Sequence, residues 1–242
     1  MPRRLSFVWL CAGLAGVLIL TSMPGLARAG TKPAPPSPAR EVRLLAFGDS
    51  LIHGYGLAAG QTLPERLEAA LKARGHSVAV INSGNSGDTT ASGLARLEWA
   101  LGAGRVDLAL VALGGNDALR GLDPAGTYDN LDVILTRLAA AGLPVLLAGM
   151  LAPRNLGADY AADFDAVFPK LAETHGVAFY PFLLDGVAMD PALNQADGIH
   201  PNAAGVAVIV ARLAPLLGAM IEALEKRRPQ AEGAAGGAAS GG

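Results

Sequence analysis

Between residues 41 and 228, five short apolar runs alternate with five longer amphipathic segments, and this alternation constrains the fold more than any other feature of the chain. The short runs are continuously apolar, as in strands that are covered on both faces. The predicted strands are Val42–Phe47, Val78–Ile81, Leu108–Leu113, Val145–Gly149 and Ala178–Tyr180. The predicted helices are Leu63–Arg74, Ala91–Leu101, Tyr128–Ala141, Tyr160–His175 and Ala203–Lys226. This order predicts an α/β fold of three layers, α/β/α, with a central, mainly parallel five-stranded sheet.

The two ends of the chain are not expected to belong to this domain. Two arginines, an apolar run and an A-x-A sequence are typical of a secretory signal peptide over residues 1–29, cleaved after Ala29. The alternative is an uncleaved membrane anchor, but the apolar run is short for a span of roughly 20 residues. Residues 30–40 are Pro-rich and predict a linker, and residues 229–242 are Gly/Ala-rich and predict a disordered tail. The folded domain is therefore predicted at 41–228, in a secreted protein with no stable membrane insertion after signal cleavage.

Charge and cysteine content exclude several function classes. The formal charge is −2 over the 242 residues and −5 without residues 1–29, because that segment holds three arginines and no acidic residue. No basic field is available to hold a polyanion, so nucleic acid is not an expected partner. Cys11 is the only cysteine and lies in the signal segment, so the mature chain is expected to have neither a disulfide nor a thiolate nucleophile.

Four polar segments interrupt the apolar pattern, three after predicted strands and one before the last helix. They are GDS at 48–50, NSGNSGDT at 82–89, GGND at 114–117 and DGIHP at 197–201. Each has a plain structural explanation by itself: Ser50 as a helix cap, residues 85–88 as a turn, Asn116 in a left-handed loop, and His200 before a helix-starting proline. However, sites in open α/β sheets lie beyond the carboxyl ends of the strands, so the four segments are expected to meet at one rim.

Together the four segments contain every group that acyl transfer requires. Ser50 supplies a hydroxyl nucleophile, His200 a base, and Asp197, three residues earlier, a carboxylate that can orient the imidazole. Gly87 offers an unobstructed backbone N–H and Asn116 a side-chain amide, which can stabilise an oxyanion together with the backbone N–H of Ser50. The lipase signature G-x-S-x-G is absent around this serine, so the common α/β-hydrolase arrangement is not predicted.

In order, the four segments resemble the sequence blocks of the GDSL or SGNH hydrolase family. Phrases such as VALGGNDALRG and FDAVFPKLAETHGV are most similar to the branch of bacterial arylesterases, acyl-CoA thioesterase I and lysophospholipases, whose members act in the periplasm. The resemblance implies a flavodoxin-like sheet, Ser50 as nucleophile, and Asp197 and His200 as the rest of a catalytic triad. It also implies Ser50, Gly87 and Asn116 as oxyanion-hole donors, with Gly87 chosen because the family's glycine directly precedes Asp-Thr.

Several neighbouring residues have weaker claims on the chemistry. His53 is close to Ser50 in sequence and could compete as the base, although a place on the rim of the site is the favoured interpretation. Asp49 could tune the site, but a role in fixing the turn is favoured, and Asp88 and Asp117 are expected to hold loops. The sequence contains neither H-E-x-x-H nor G-x-x-x-x-G-K, and neither a metal nor a cofactor is expected.

The expected activity is that of a secreted, periplasmic serine esterase acting on a small-molecule ester or lipid. By resemblance, the loop after the fourth strand lies over the acyl group, with Leu151, Pro153 and Leu156 as substrate-binding residues; a plain connecting loop is the alternative. Aryl esters, short-to-medium acyl esters, thioesters and lysophospholipids are the candidate substrates, and a monomer is expected. Two other functions stay open: O-deacetylation of a cell-wall or other polysaccharide, for which few aromatic residues are available, and non-catalytic binding.

Overall fold

The computed structural model describes the backbone from residue 40 to residue 236 and the side chains to residue 227. Its sheet contains five parallel strands in the order β2-β1-β3-β4-β5. The strands are β1 (Val42–Gly48), β2 (Val78–Gly84), β3 (Leu108–Ala112), β4 (Val145–Ala148) and β5 (Ala178–Tyr180). The helices are α1 (Ser50–His53), α2 (Leu63–Ala73), α3 (Thr90–Gly102), α4 (Gly115–Leu119), α5 (Pro124–Ala140), α6 (Ala158–His175) and α7 (Ala203–Gly236). Because α2 packs on α7 and α5 packs on α3 and α6, helices flank the sheet, and the predicted α/β/α class is confirmed.

β1 and β3 form the centre of the hydrophobic core. Every residue of β3 is buried, and Arg43 is the only residue of β1 that is not. Both strands pair with a neighbour on each side and are covered by helices, which explains why their sequences are continuously apolar. The core is mostly aliphatic, with an edge-to-face contact between Phe164 and Phe168 of α6, whose ring centroids are 5.5 Å apart.

Local sequence signals determine where α2 and α3 begin. At the start of α2, the Thr62 side chain accepts a hydrogen bond from the Glu65 backbone N–H, and the Glu65 carboxylate accepts one from the Thr62 N–H. Thr89 and Ser92 form the same reciprocal capping box at the start of α3. Since α3 follows the polar segment 82–89 directly, this second cap holds the end of the loop that carries Gly87.

Several elements differ from the prediction in length. Helices α1 and α4 are not among the predicted helices, because four and five residues are too few to show a 3.6-residue period. α5 begins at Pro124, four residues before the predicted start, because Asp123 caps it and proline suits a first helical position. α7 continues to Gly236 and so covers the first part of the predicted tail, where alanine and glutamate favour helix. The predicted signal peptide 1–29 and all but the last residue of the linker 30–40 lie outside the described residues.

α7 is long and apolar enough to cross a membrane by length and composition, with a mean hydropathy of 2.1 within Ala203–Arg227. Half of that apolar window is buried in the structure, however, as in the core helix of a globular domain. The buried side chains recur at helical spacing along the helix, which packs against α2. They are Val206, Ile209, Val210, Leu213, Ala214, Leu217 and Ile221.

Candidate active site

The chain turns sharply from the end of β1 into α1. A Cβ atom on Gly48 would lie 2.5 Å from the carbonyl oxygen of Ala112 on β3, so glycine is needed for this close approach. Asp49 is the N-cap of α1, and its Oδ1 accepts a hydrogen bond from the Leu51 N–H at 3.0 Å. Ser50 is therefore the first residue of a helix that starts at the carboxyl edge of the sheet, where α/β proteins form their sites.

Ser50, His200 and Asp197 form a continuous chain of hydrogen bonds. The Ser50 Oγ lies 2.8 Å from His200 Nε2, and His200 Nδ1 lies 2.7 Å from Asp197 Oδ2. A carboxylate can only accept, so Nδ1 of the neutral imidazole carries the proton and Nε2 accepts from the Ser50 hydroxyl. The structure thus brings together the three residues that the sequence predicts as a triad, in the order that acyl transfer requires.

Hydrogen bonds to Asp197 favour its charged form. Its Oδ1 accepts from the backbone N–H groups of Ile199 at 2.9 Å and His200 at 3.0 Å. These bonds, with the N–H of His200 contributing most and the imidazole adding a further hydrogen bond, lower the pKa of Asp197 to about 2. The carboxylate is therefore ionised at neutral pH and holds the imidazole in one orientation.

The loop after β2 contains a tight turn centred on Ser86 and Gly87. The Asp88 N–H donates to the Asn85 carbonyl at 3.2 Å, and Gly87 has a φ of +87°. A positive φ at the third position is what a type II turn requires, and glycine adopts it without steric cost. Arg120 holds the same turn from outside, because its Nη2 donates to the Gly87 carbonyl at 2.9 Å.

Asn116 approaches this turn from α4, which follows β3. Its Nδ2 donates to the Asp88 carbonyl at 2.9 Å and faces Oδ2 of Asp49 at the longer distance of 3.4 Å. The neighbouring Asp117 is buried and accepts hydrogen bonds from the backbone N–H and the hydroxyl of Thr90, which fixes α4 against the start of α3. The Asn116 amide is thus held at the same edge of the sheet as Ser50.

Asp49 is the most deeply buried carboxyl group of the site, with 1% of its surface exposed. Burial raises its pKa from 3.8 to about 6, although the hydrogen bond from the Leu51 N–H acts in the opposite direction. Its two oxygens face the cap of α1 and the Asn116 amide. These contacts support the structural role that the sequence analysis favours for Asp49.

The variant Asp49→Asn is expected to be less sensitive to pH than the wild type in its free energy of unfolding. The folded-state pKa of Asp49, about 6, lies above the unfolded value, so the folded protein holds this proton more tightly. That stabilisation is complete below the unfolded pKa and is lost as the pH rises through the folded pKa. Asparagine keeps the N-cap acceptor and does not ionise. The free energy of unfolding of the variant should therefore exceed that of the wild type by about 1–3 kcal/mol near pH 8 and should equal it near pH 4. Urea unfolding at both pH values measures this difference. A variant that becomes less stable relative to the wild type as the pH rises would contradict the assignment.

The His53 side chain contacts Ser86 and not the Ser50 hydroxyl. Its Nδ1 is 2.7 Å from the Ser86 Oγ, on the turn after β2. His200 is the histidine in contact with the Ser50 hydroxyl, so the alternative in which His53 acts as the base has no support in the geometry.

An apolar groove of about 790 Å³ opens beside Ser50 and His200. Leu151 and Pro153 line it, whereas Leu156 is not among the lining residues. Leu156 ends the 3-10 turn Arg154–Leu156, which an ion pair to Asp165 ties to α6. Further lining residues come from the irregular segment after β5, which carries no sequence motif and so is not predicted from the sequence. They are Phe182, Leu184, Ala188 and Met189.

Tyr55 is a further neighbour of the site that the sequence analysis missed. The centroid of its ring lies 4.7 Å from that of His200, with 40° between the ring planes, and 53% of Tyr55 is exposed. The Tyr55 carbonyl accepts a hydrogen bond from Gln195 Nε2 at 2.8 Å, which ties the segment after α1 to the loop that carries His200. Only the nearness of Tyr55 to Ser50 in sequence could have pointed to it.

The fold and the site together define the class of protein. A parallel α/β/α sheet with a serine, a histidine and an aspartate hydrogen bonded in series at its carboxyl edge is typical of hydrolases that act through a serine. No group of three His, Cys, Asp or Glu side chains placed to hold a metal ion occurs in the part of the chain that the structure describes.

Comparison with known proteins identifies the family. Residues 46–208 match the GDSL-like Lipase/Acylhydrolase family, and the chain belongs to it. The chain is 40% identical over 160 residues to an arylesterase of Vibrio mimicus, which covers 66% of this chain and 80% of that protein. It is equally 40% identical over 159 residues to the thioesterase 1/protease 1/lysophospholipase L1 of Escherichia coli K12, covering 66% of this chain and 75% of that one.

The chain is also similar in structure to a solved esterase. AlinE4, an esterase of the SGNH-hydrolase family, is 45% identical, has a TM-score of 0.65 and covers 76% of this chain and 98% of its own. The chain is therefore a carboxylic ester hydrolase of the SGNH family, of the arylesterase and thioesterase type, as the sequence predicts.

Proposed function

We propose that this chain is a secreted serine esterase that hydrolyses carboxylic esters through a Ser-His-Asp triad and an acyl-enzyme. The observation that carries the proposal is the hydrogen-bonded chain from Ser50 through His200 to Asp197 beside an apolar groove. Export, with the periplasm as the proposed location, is based on the sequence of residues 1–29.

In the proposed mechanism, His200 takes the proton of the Ser50 hydroxyl as the oxygen attacks the ester carbonyl. The imidazolium that forms is stabilised by the ionised Asp197. The tetrahedral intermediate collapses as His200 returns the proton to the leaving-group oxygen, which leaves an acyl group on Ser50. Water then attacks this acyl-enzyme with His200 again acting as the base. The second tetrahedral intermediate collapses as His200 returns the proton to the Ser50 oxygen, and the acid is released.

The negative oxygen of the tetrahedral intermediate is bound by N–H donors in this proposal. The backbone N–H groups of Ser50 and Gly87 and the Asn116 amide are the three donors. Asn116 Nδ2 donates one hydrogen to the Asp88 carbonyl oxygen at an N···O distance of 2.9 Å. Its second hydrogen faces Asp49 Oδ2, at the longer N···O distance of 3.4 Å. A contact of that length is weak, so this second hydrogen is available to the intermediate.

The lining of the groove supports the proposal that it binds the acyl chain of the substrate. Among the described residues that line it, Arg154 is the only arginine or lysine, and it is paired with Asp165, so this lining offers no unpaired Lys or Arg to an anionic group. A neutral chain gains about 0.8 kcal/mol for each methylene group that it buries. Aryl esters, short-to-medium acyl esters, thioesters and lysophospholipids are therefore the proposed substrates. The names arylesterase and thioesterase 1/lysophospholipase L1 of the relatives support this range.

Proton transfer determines where the leaving group lies. Its oxygen must be within hydrogen-bond reach of His200 Nε2, because His200 protonates it. With the acyl chain in the groove and the oxyanion at the N–H donors, the leaving group extends along His200, where the exposed ring of Tyr55 lies. An aryl leaving group can pack against this ring, and aromatic pairs contribute about 0.5–1.5 kcal/mol beyond their buried area.

The variant Tyr55→Ala is expected to lose selectivity for aryl over alkyl esters. Relative to the wild type, kcat/KM for a phenyl ester should fall about 3- to 10-fold further than kcat/KM for an ethyl ester of the same acid. Tyr55→Phe keeps the ring and is the matched control. Equal losses for both esters would mean that Tyr55 only supports His200.

A substrate panel tests the proposed function as a whole. We expect hydrolysis of nitrophenyl esters from acetate to medium chain lengths, with kcat/KM increasing as the chain fills the groove. Faster release of acetate from an acetylated polysaccharide than from any of these esters would instead favour the O-deacetylase function. No turnover and no reaction with a fluorophosphonate would favour a binding protein.

A further inference from the structure

His53 connects the helix that carries Ser50 with the turn that carries Gly87. Its backbone N–H donates to the Asp49 carbonyl at 2.9 Å, while its Nδ1 lies 2.7 Å from the Ser86 Oγ. Across residues 40–227, His53 is the only residue whose side chain hydrogen bonds that of Ser86. The contact therefore joins two separate parts of the site, 33 positions apart in sequence.

The direction of the Ser86–Gly87 peptide decides where the Gly87 N–H points. Type I and type II turns differ mainly by a rotation of their central peptide of about 180°. The φ of +87° at Gly87 belongs to the type II form. In a type I turn the Gly87 N–H would point to the opposite side and could not serve the same oxyanion.

The other contacts on this turn act on the residues around Ser86. The Asn85 N–H donates to the Gly48 carbonyl at 3.0 Å, and the Asn85 amide donates to Asp88 Oδ1 at 2.7 Å. Arg120 holds the carbonyl of Gly87, and Asn116 holds the carbonyl of Asp88. Arg96 pairs with the Asp88 carboxylate. Only the contact with His53 acts on Ser86, the residue that begins the central peptide, among the side-chain hydrogen bonds of the described residues.

We propose that His53 is a positioning residue of the oxyanion hole. By holding Ser86, it keeps the Ser86–Gly87 peptide in the orientation that presents the Gly87 N–H to the tetrahedral intermediate. This inference rests on the proposed role of Gly87. His53 touches no reacting atom and transfers no proton. Its loss should therefore weaken the stabilisation of the transition state, which lowers kcat and leaves KM unchanged.

The test compares His53→Ala, Ser86→Ala and the double variant in nitrophenyl ester hydrolysis. Each single variant should lower kcat about tenfold, less than the 10²–10³ expected for the loss of a whole donor, with KM nearly unchanged. The double variant should fall no further than either single one, because both remove the same contact. His53→Asn, whose amide branches where Nδ1 does, should restore most of kcat.

His175→Ala is the matched control. It removes another hydrogen-bonded histidine, which pairs with Asp132 at the end of α6, and it should leave kcat unchanged. A wild-type kcat for His53→Ala, or single effects that multiply in the double variant, would overturn the proposal. If His53→Ala fails to fold, Ser86→Ala decides alone, and a wild-type kcat again overturns it. Failure of the proposed function looks different, because the wild type would then hydrolyse no ester or Ser50→Ala would remain active.

Discussion

Ser50→Ala should lower kcat for aryl-ester hydrolysis by about 10⁴- to 10⁶-fold. The Ser50 hydroxyl is the group in contact with His200 Nε2, and without it no acyl-enzyme can form. The fold should be unaffected, because the cap of α1 comes from Asp49. Initial rates with a nitrophenyl ester, and mass spectrometry after treatment with a fluorophosphonate, measure the two consequences.

Ser77→Ala is the control for this substitution, since Ser77 is an exposed serine directly before β2. It should keep the wild-type rate and should still gain one phosphonate on Ser50. Some hydrolysis is expected to remain in Ser50→Ala, because the oxyanion donors and the groove are intact. A Ser50→Ala variant with the wild-type rate, or a phosphonate found on another residue, would exclude the proposed mechanism.

Asn116→Ala should lower kcat by about 10²–10³-fold with little change in KM. The Asn116 amide is proposed to donate to the oxyanion, which exists in the transition state and not in the bound ester, so the loss falls on kcat. Steady-state kinetics with the same nitrophenyl ester measure both constants.

A purely structural role of Asn116 predicts a different outcome. Its Nδ2 also holds the Asp88 carbonyl, so Asn116→Ala could disturb the turn that carries Gly87. In that case thermal unfolding would move to lower temperature, and kcat of the folded protein would fall by no more than the roughly tenfold expected when this turn loses its contact with His53. Comparing circular dichroism melts with kcat for the same preparation separates the two roles.

Much of the fold and of the candidate site could be predicted from the sequence because both depend on local signals. The continuous apolar run of β1 and the capping box at Thr62 are properties of neighbouring residues. Ser50 and His200 stand in polar segments that break the apolar pattern, and the parallel topology alone requires such segments to meet at one edge. The predicted contact between them is present although 150 positions separate the two residues.

The other features of the site depend on contacts between residues that are far apart in the sequence, and such contacts leave no periodic pattern in it. The order β2-β1-β3 brings His53 to Ser86, and the loop before α7 brings His200 to Tyr55. The raised pKa of Asp49 is a consequence of burial, which a carboxyl group does not show in its own sequence neighbourhood. Short helices such as α1 lack the length that a periodic pattern needs.

The alignment of the three central strands restricts how this scaffold can change in length. Gly48 pairs with Gly84 on one side and with Ala112 on the other, so three loops leave the sheet from one row. One inserted residue in any of these strands would shift its exit by about 3.3 Å and turn its side chains to the opposite face. Insertions and deletions that leave this row and the loop of Asp197 and His200 unchanged can be absorbed farther out, between β4 and α6 or between β5 and Asn194. Those are the segments that shape the groove, so descendants of this scaffold can acquire new substrates while the reaction centre is inherited unchanged.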